Sequence, residues 1–139
     1  MANFRCKPED LDKVIKEILD DYSYNFTEAT NKAIRAVANV AKEEVKAKSP
    51  VGKYTKKKGR YQKGWAVREE AVNRFHNKDI IHNRTDYQLA HLLEKGHVLI
   101  RGGREKGRVS AQVHIAPAEE HAIKNFEEAI VKIAEGRGS

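Results

Sequence analysis

His91, Glu94 and His97 are the residues whose types and spacing most invite a metal, reading H-x-x-E-x-x-H on or just past a predicted helix. A zinc protease sets its two histidines four apart, one helical turn, with the glutamate beside the first. Here the histidines are six apart, and Gly96 ends the helix before His97, so ligation needs a third, distant residue. Phosphodiester hydrolysis is the other chemistry within reach, with His76, His82 or His114 as base and nearby lysines as a phosphate clamp. It lacks a carboxylate cluster for magnesium, since Asp79 and Asp86 read as turn and cap residues. There is no G-x-S-x-G elbow and no Cys-His nucleophile pair, and GGREKGR lacks the Gly-Lys-Ser/Thr ending of a phosphate loop. The expectation is a protein with no catalytic residue, no metal site and no cofactor.

Charge points instead to binding. The formal net charge is +7 and the pI about 9.5, which suits an acidic partner, either nucleic acid or an acidic protein surface. Lys46, Lys48, Lys53, Lys56, Lys57, Lys58, Arg60, Lys63 and Arg68 fall in one segment free of acidic residues, while Glu9, Asp10, Asp12, Glu17, Asp20 and Asp21 cluster near the N-terminus. A chain polarised in this way suits head-to-tail assembly of identical copies. Within VGKYTKKKGRYQKG, residues 51–64, the absence of an apolar period predicts a basic mobile loop. Its Lys53, Tyr54, Lys56, Lys57, Lys58, Arg60, Tyr61 and Lys63 are candidate interface residues. Tyr54, Tyr61 and Trp65 are interleaved with the charges and could stack on bases, so a basic nucleic-acid-binding domain is the alternative reading. A solvated loop ordered by a neighbouring subunit is favoured over sequence-specific recognition, with nonspecific DNA contact left open.

At 139 residues and 40% hydrophobic content, the chain has the length and composition of one domain with a modest core. No apolar run approaches the roughly 20 residues of a membrane span, and MANFRCKPEDLDK lacks the apolar stretch of a secretory signal. The cytoplasm is the expected site of synthesis. The lone Cys6 offers no internal disulfide, zinc knuckle or redox pair.

The apolar series Leu11, Ile15, Ile18, Tyr22, Phe26, Ala29, Ala33, Val37, Val40 predicts a helix from Pro8 to about Lys48, ended by Ser49-Pro50. Such a helix spans on the order of 60 Å, longer than a domain of this size is wide. It either breaks near Tyr22-Ser23-Tyr24-Asn25 or packs in part against another subunit. Residues 65–115 read as sheet and short helix. The meander includes Trp65, Val67 and Val72, with a turn at Asn77-Lys78-Asp79 into Ile80-Ile81-His82. Thr85 and Gln88 then form a capping box for a short helix burying Leu89, Leu92 and Leu93, stopped by Gly96. Val109, Ala111, Val113 and Ile115 alternate with polar residues as a half-buried strand, and a final helix, about 117–135, buries Ile123, Phe126, Ile130 and Ile133. The fold class is α+β: a long N-terminal helix and a C-terminal helix packed on one antiparallel sheet, with a short helix between strands.

The stretch YQLAHLLEKGHVLIRGGREKGRVSAQVHIAP, residues 87–117, resembles the signature of the tail-completion, or head-tail joining, proteins of long-tailed bacteriophages. Its carriers are Tyr87, Leu93, Glu94, Gly96, His97, Gly102, Gly103, His114 and Pro117, and Ser49-Pro50 after the alanine- and lysine-rich helix end is also similar. In the element that follows, Lys58, Tyr61 and Gly64 stand where the family has threonine, leucine and serine. The resemblance implies a virion protein of the neck, assembled in host cytoplasm as a ring of identical copies. Such a ring sits between the head connector or stopper and the tail tube or tail terminator. It acts by interfaces rather than turnover, without cofactor or membrane. A second loop, Leu99 to Gly107 with Arg101, Arg104, Lys106 and Arg108, is expected to order against neighbours together with the first.

Overall fold

The computed structural model of the chain describes residues 5–52, 57–73 and 76–136. Pro8–Asp10 forms a 3-10 turn with proline at its first position, and it leads into α1, Leu11–Lys48, an uninterrupted helix of 38 residues. At about 1.5 Å per residue α1 is roughly 57 Å long. There is no break at Tyr22 to Asn25: the Tyr22 and Phe26 rings stack one turn apart, with centroids 6.2 Å from each other. Ser49 ends α1 in an extended conformation, as a residue before proline must, and its hydroxyl donates to the Val45 carbonyl at 2.6 Å.

After α1 the chain forms a four-residue helix, α2, Arg60–Lys63, and then the strands β1, Trp65–Asn73, and β2, His76–Asn83. These pair antiparallel with Trp65 opposite Asn83 and a bulge between Ala71 and Asn73. Asn77 to Asp79, expected as a turn, lie inside β2. Next come α3, Tyr87–Lys95, and a second hairpin of β3, His97–Arg101, and β4, Arg104–Val109, and the last element is α4, Ile115–Ala134. Among the described residues no helix is long and apolar enough to cross a membrane.

The α+β class holds, but the expected single sheet is two separate two-stranded hairpins. The cause lies in residues 110–114, which do not extend β4. Their donors go elsewhere: the Gln112 N–H bonds the Leu93 carbonyl at 2.7 Å, and the His114 N–H bonds Glu94. Val113 is accordingly exposed rather than half-buried, and helix begins at Ile115, two residues before Pro117.

The core is small. Val45, Tyr61, Trp65 and Ala118 form its centre, with Ile81, Ala90, Leu93 and Ile115 packed around them. Ala38 and Ala41 on α1 and Ala118 on α4 are buried with minimal side chains, which lets the two helices approach closely. The twenty residues of α4 span about 30 Å, the distance from Val45 back to about Phe26, where partial burial of α1 becomes recurrent. The first fifteen or so residues of α1 extend past this packed region. Leu89 and Ile123, expected in the core, are exposed.

Candidate functional site

Most of the motif residues meet at one joint between α3, the second hairpin and α4. Glu94, in the last turn of α3, turns its carboxylate to the start of α4 and accepts three backbone N–H bonds: from His114 at 2.8 Å, Ile115 at 3.0 Å and Ala116 at 2.9 Å. A helix start leaves such donors unsatisfied and carries a positive partial charge, so one carboxylate serves both needs. Burial alone disfavours the Glu94 charge, yet the three N–H bonds and the adjacent His114 ring outweigh it and hold the carboxyl below its ordinary range.

His114 is fully buried. Its Nδ1 lies 2.7 Å from the Gln112 carbonyl and 3.1 Å from Glu94 Oε2, two acceptors, so this nitrogen carries the hydrogen. Nε2 faces the Tyr61 hydroxyl at 2.8 Å. Burial, with Glu94 nearby, pushes the Tyr61 phenol up to about 12, so it remains a hydrogen donor. Trp65 stands edge-on to both rings and donates its Nε1–H to Ser49 Oγ at 2.7 Å. A tyrosine, a histidine and a carboxylate in a row resemble a proton relay, but here the row is buried and each member is saturated by protein partners. Its work is to lock α2, α3 and α4 together.

Asn83 performs the same service at the base of the first hairpin. It donates Nδ2–H to the Tyr61 carbonyl at 2.7 Å, while its Oδ1 accepts from the Thr85 and Asp86 N–H groups and the Thr85 hydroxyl. The start of α3 is therefore held by Asn83, not by the Thr85–Gln88 box. Gly64 must lack a side chain, because a Cβ there would stand 2.2 Å from Thr85 Oγ1 and 2.6 Å from Asn83 Oδ1.

The remaining motif residues lie apart from the joint. Tyr87 is exposed at the start of α3, and Gly102 and Gly103 make the two-residue turn of the second hairpin, both with positive φ. His97 is half-buried at the base of β3 with Nδ1 enclosed and unpartnered, and His91 is exposed. Among the described residues no three His, Cys, Asp or Glu side chains gather as a metal site. A hollow of about 420 Å³ between α1, β2, α3 and α4 is lined mainly by apolar side chains such as Val45, Trp65, Ile81 and Ala118. Its polar lining is limited to His82, Asn83, Tyr87 and Glu119.

The basic residues divide differently from expectation. Lys53, Tyr54 and Lys56 lie outside the described residues. Lys57 and Lys58 occupy a turn, while Arg60, Tyr61 and Lys63 belong to α2 rather than to a loop. Tyr61 is only 7% exposed, a core residue and not an interface one. Arg60 is tied to Asp86 and to the Thr85 carbonyl. The second expected loop is the β3–β4 hairpin, with Arg101, Arg104, Lys106 and Arg108 all exposed on it.

The N-terminal part of the apolar series on α1 is open. Leu11, Ile15, Ile18, Leu19 and Tyr22 form a continuous apolar stripe along the first three turns of α1, and Leu19 and Tyr22 are 60% and 63% exposed. The sequence held one signal of this, the excess length of the helix over any core it could cover.

Comparison with family models finds a match over residues 12–96 to the family described as "Bacteriophage HK97-gp10, putative tail-component". The chain belongs to this family. Comparisons with curated proteins and with solved structures find no match. The HK97-gp10-like region takes in α1, the first hairpin and α3 and stops at Gly96, so its last residues include Glu94. The second hairpin and α4 follow it: α4 packs along α1, and the Glu94 carboxylate holds its first turn to the end of α3. Membership gives the protein a structural role in a phage particle, among other virion proteins.

Proposed function

We propose that this protein is the head-tail joining, or tail-completion, component of a long-tailed phage. Copies form a ring in the neck, one face against the head connector or stopper and the other against the tail tube or tail terminator. The observation that carries this reading is the apolar stripe from Leu11 to Tyr22, left open by its own chain in a member of a tail-component family. An apolar helix face of this length is covered in the working protein by another polypeptide. The chain acts as one folded domain, through shape and charge, and carries out no turnover.

The nucleic-acid reading loses two of its three stacking aromatics, since Tyr61 and Trp65 are both inside the core, while Tyr54 lies outside the described residues.

Electron microscopy of a phage with this gene interrupted tests the proposal. The expected result is filled heads and separate tails, restored to whole particles by the gene supplied in trans. Complete, firmly joined particles without the protein overturn it.

A further inference from the structure

We propose that copies of this chain join head to tail, the N-terminal half of α1 in one copy lying across the β3–β4 hairpin of the next. This deepens the ring reading above and rests on it.

The two surfaces are the parts of the described chain least covered by their own fold. Outside its own two strands the hairpin has no substantial packing against another element, and Val98, Leu99 and Ile100 are exposed, Ile100 by 65%. An isolated two-stranded hairpin is marginal in water, and its open edges invite pairing. The α1 stripe has the complementary deficit, a row of large apolar side chains that are all exposed.

Their charges are opposite. Residues 9–22, the 3-10 turn and the start of α1, carry six acidic side chains against two lysines, and residues 97–109 carry Arg101, Arg104, Lys106 and Arg108 against Glu105 alone. At 100° per residue Asp12 and Asp21 border the stripe on either side. On the hairpin, Val98 and Ile100 share a face with Arg108, opposite Val98, and with Glu105, opposite Ile100, while Arg101, Arg104 and Lys106 add the excess of positive charge around it. Each surface is therefore an apolar centre with a charged rim, and the rims attract. Lengths are comparable as well: Leu11 to Tyr22 is about 16 Å along a helix, and His97 to Arg101 is about 13 Å along a strand. Two different surfaces on one chain make a heterologous contact, which repeats around a ring.

Cysteine pairing reads the contact directly. With Cys6 replaced by serine, a chain carrying Ile18→Cys and another carrying Ile100→Cys are expected to form a disulfide dimer on mild oxidation when mixed, and neither alone. Homodimers of the Ile18→Cys chain, which signal a helix-on-helix contact, or no dimer in the mixture, overturn the proposal.

Charge exchange is the second measurement. Reversing the helix rim (D12K/D21K) or the hairpin (R104E/R108E) is expected to weaken self-association by about tenfold or more, and combining both reversals in one chain to restore it. A combined variant as weak as the single ones, with the fold intact by circular dichroism, counts against the pairing. Phage complementation separates the two levels. If heads and tails join normally with R104E/R108E but not without the gene, the neck role stands and this contact falls; if they join without the gene, the neck role falls.

Discussion

Glu94 caps a helix that is not its own: its Oε2 accepts the backbone N–H of His114 at 2.8 Å across twenty residues of chain that include the whole second hairpin. The same carboxylate flanks the His114 ring, whose other nitrogen meets Tyr61. Both ends of the hairpin segment are thus anchored, while its strands project with little packing of their own. A projecting basic hairpin on a rigid base is suited to reaching a neighbouring subunit.

Replacing Glu94 should therefore cost far more than an exposed glutamate would. Removing it leaves the His114, Ile115 and Ala116 donors without their acceptor, and E94A is expected to lose about 2 to 3 kcal/mol of unfolding free energy in urea. E94Q keeps one oxygen, enough for the His114 and Ile115 N–H groups, but turns an NH2 donor to the Ala116 N–H, and should lose less than E94A. Because the folded carboxyl lies below its ordinary value of 4.5, its ionic contribution is complete above that pH and fades as pH falls through the depressed range. The stability gap between wild type and E94Q should be full at neutral pH and shrink on acidification below about 4.5. A gap independent of pH counts against the charge as the source.

Tyr61 offers a spectroscopic counterpart. Tyr61 should resist ionisation up to about 12, and that late step should vanish from the ultraviolet titration of Y61F. A phenol whose pKa is raised by folding gives stability that is whole below about 10 and is lost as pH climbs through about 12. Alkaline unfolding of the wild type should begin in that window. At neutral pH, Y61F strips His114 Nε2 of its partner and is expected to cost about 1 to 3 kcal/mol.

How much of this was legible in the sequence differs by element. The helices α1, α3 and α4 are announced by periodicity and by Pro8, Pro50, Gly96 and Pro117, and the structure places them within two or three residues. What periodicity cannot tell is which part of an apolar face finds a partner: Leu11 to Tyr22 and Phe26 to Val40 read as one stripe, yet Leu11 to Tyr22 stay exposed, as does Val40. The alternation from Val109 to Ile115 misled because side-chain order carries no account of backbone donors, and here Glu94 and Leu93 claim those donors first. Tyr61 looked like part of a charged loop, since neighbouring lysines dominate the local composition. Its burial depends on His114, 53 residues away, which no local window contains.

Asp79 is expected to gain from losing its charge. It lies opposite Glu69 in the first hairpin, its Oδ2 is enclosed without a partner, and Arg35 is engaged with Glu69. Desolvation first, and then the Glu69 charge, raise its pKa against the pull of Arg35. A raised carboxyl weakens the fold once pH exceeds its folded value, and does not do so below its unfolded one. D79N should add about 0.5 kcal/mol at neutral pH, the scale of a like-charge cross-strand pair, and the advantage should disappear in acid. Thermal unfolding of both proteins at neutral and acidic pH measures it; destabilisation at neutral pH would mean that the carboxylate has a role as an acceptor.

Gly96 separates backbone necessity from mere tolerance. Its φ is +75°, and a Cβ there would stand 2.6 Å from the Val109 carbonyl and 3.0 Å from the Ala111 N–H, both backbone atoms that cannot swing away. Gly102 shares a positive φ, +60°, but has open space around it. G102A should thus suffer conformational strain alone, about 1 kcal/mol. G96A meets the same strain and must also push β4 off the end of α3, so its loss should be clearly larger. Displacing β4 also moves the anchored base of the hairpin relative to Glu94. G96A should therefore impair self-association at temperatures where the fold survives, whereas G102A leaves that base in place and should associate nearly as the wild type does. Equal losses in the two variants, compared by chemical unfolding and light scattering, would show that the close approach to Val109 does not hold the hairpin in position.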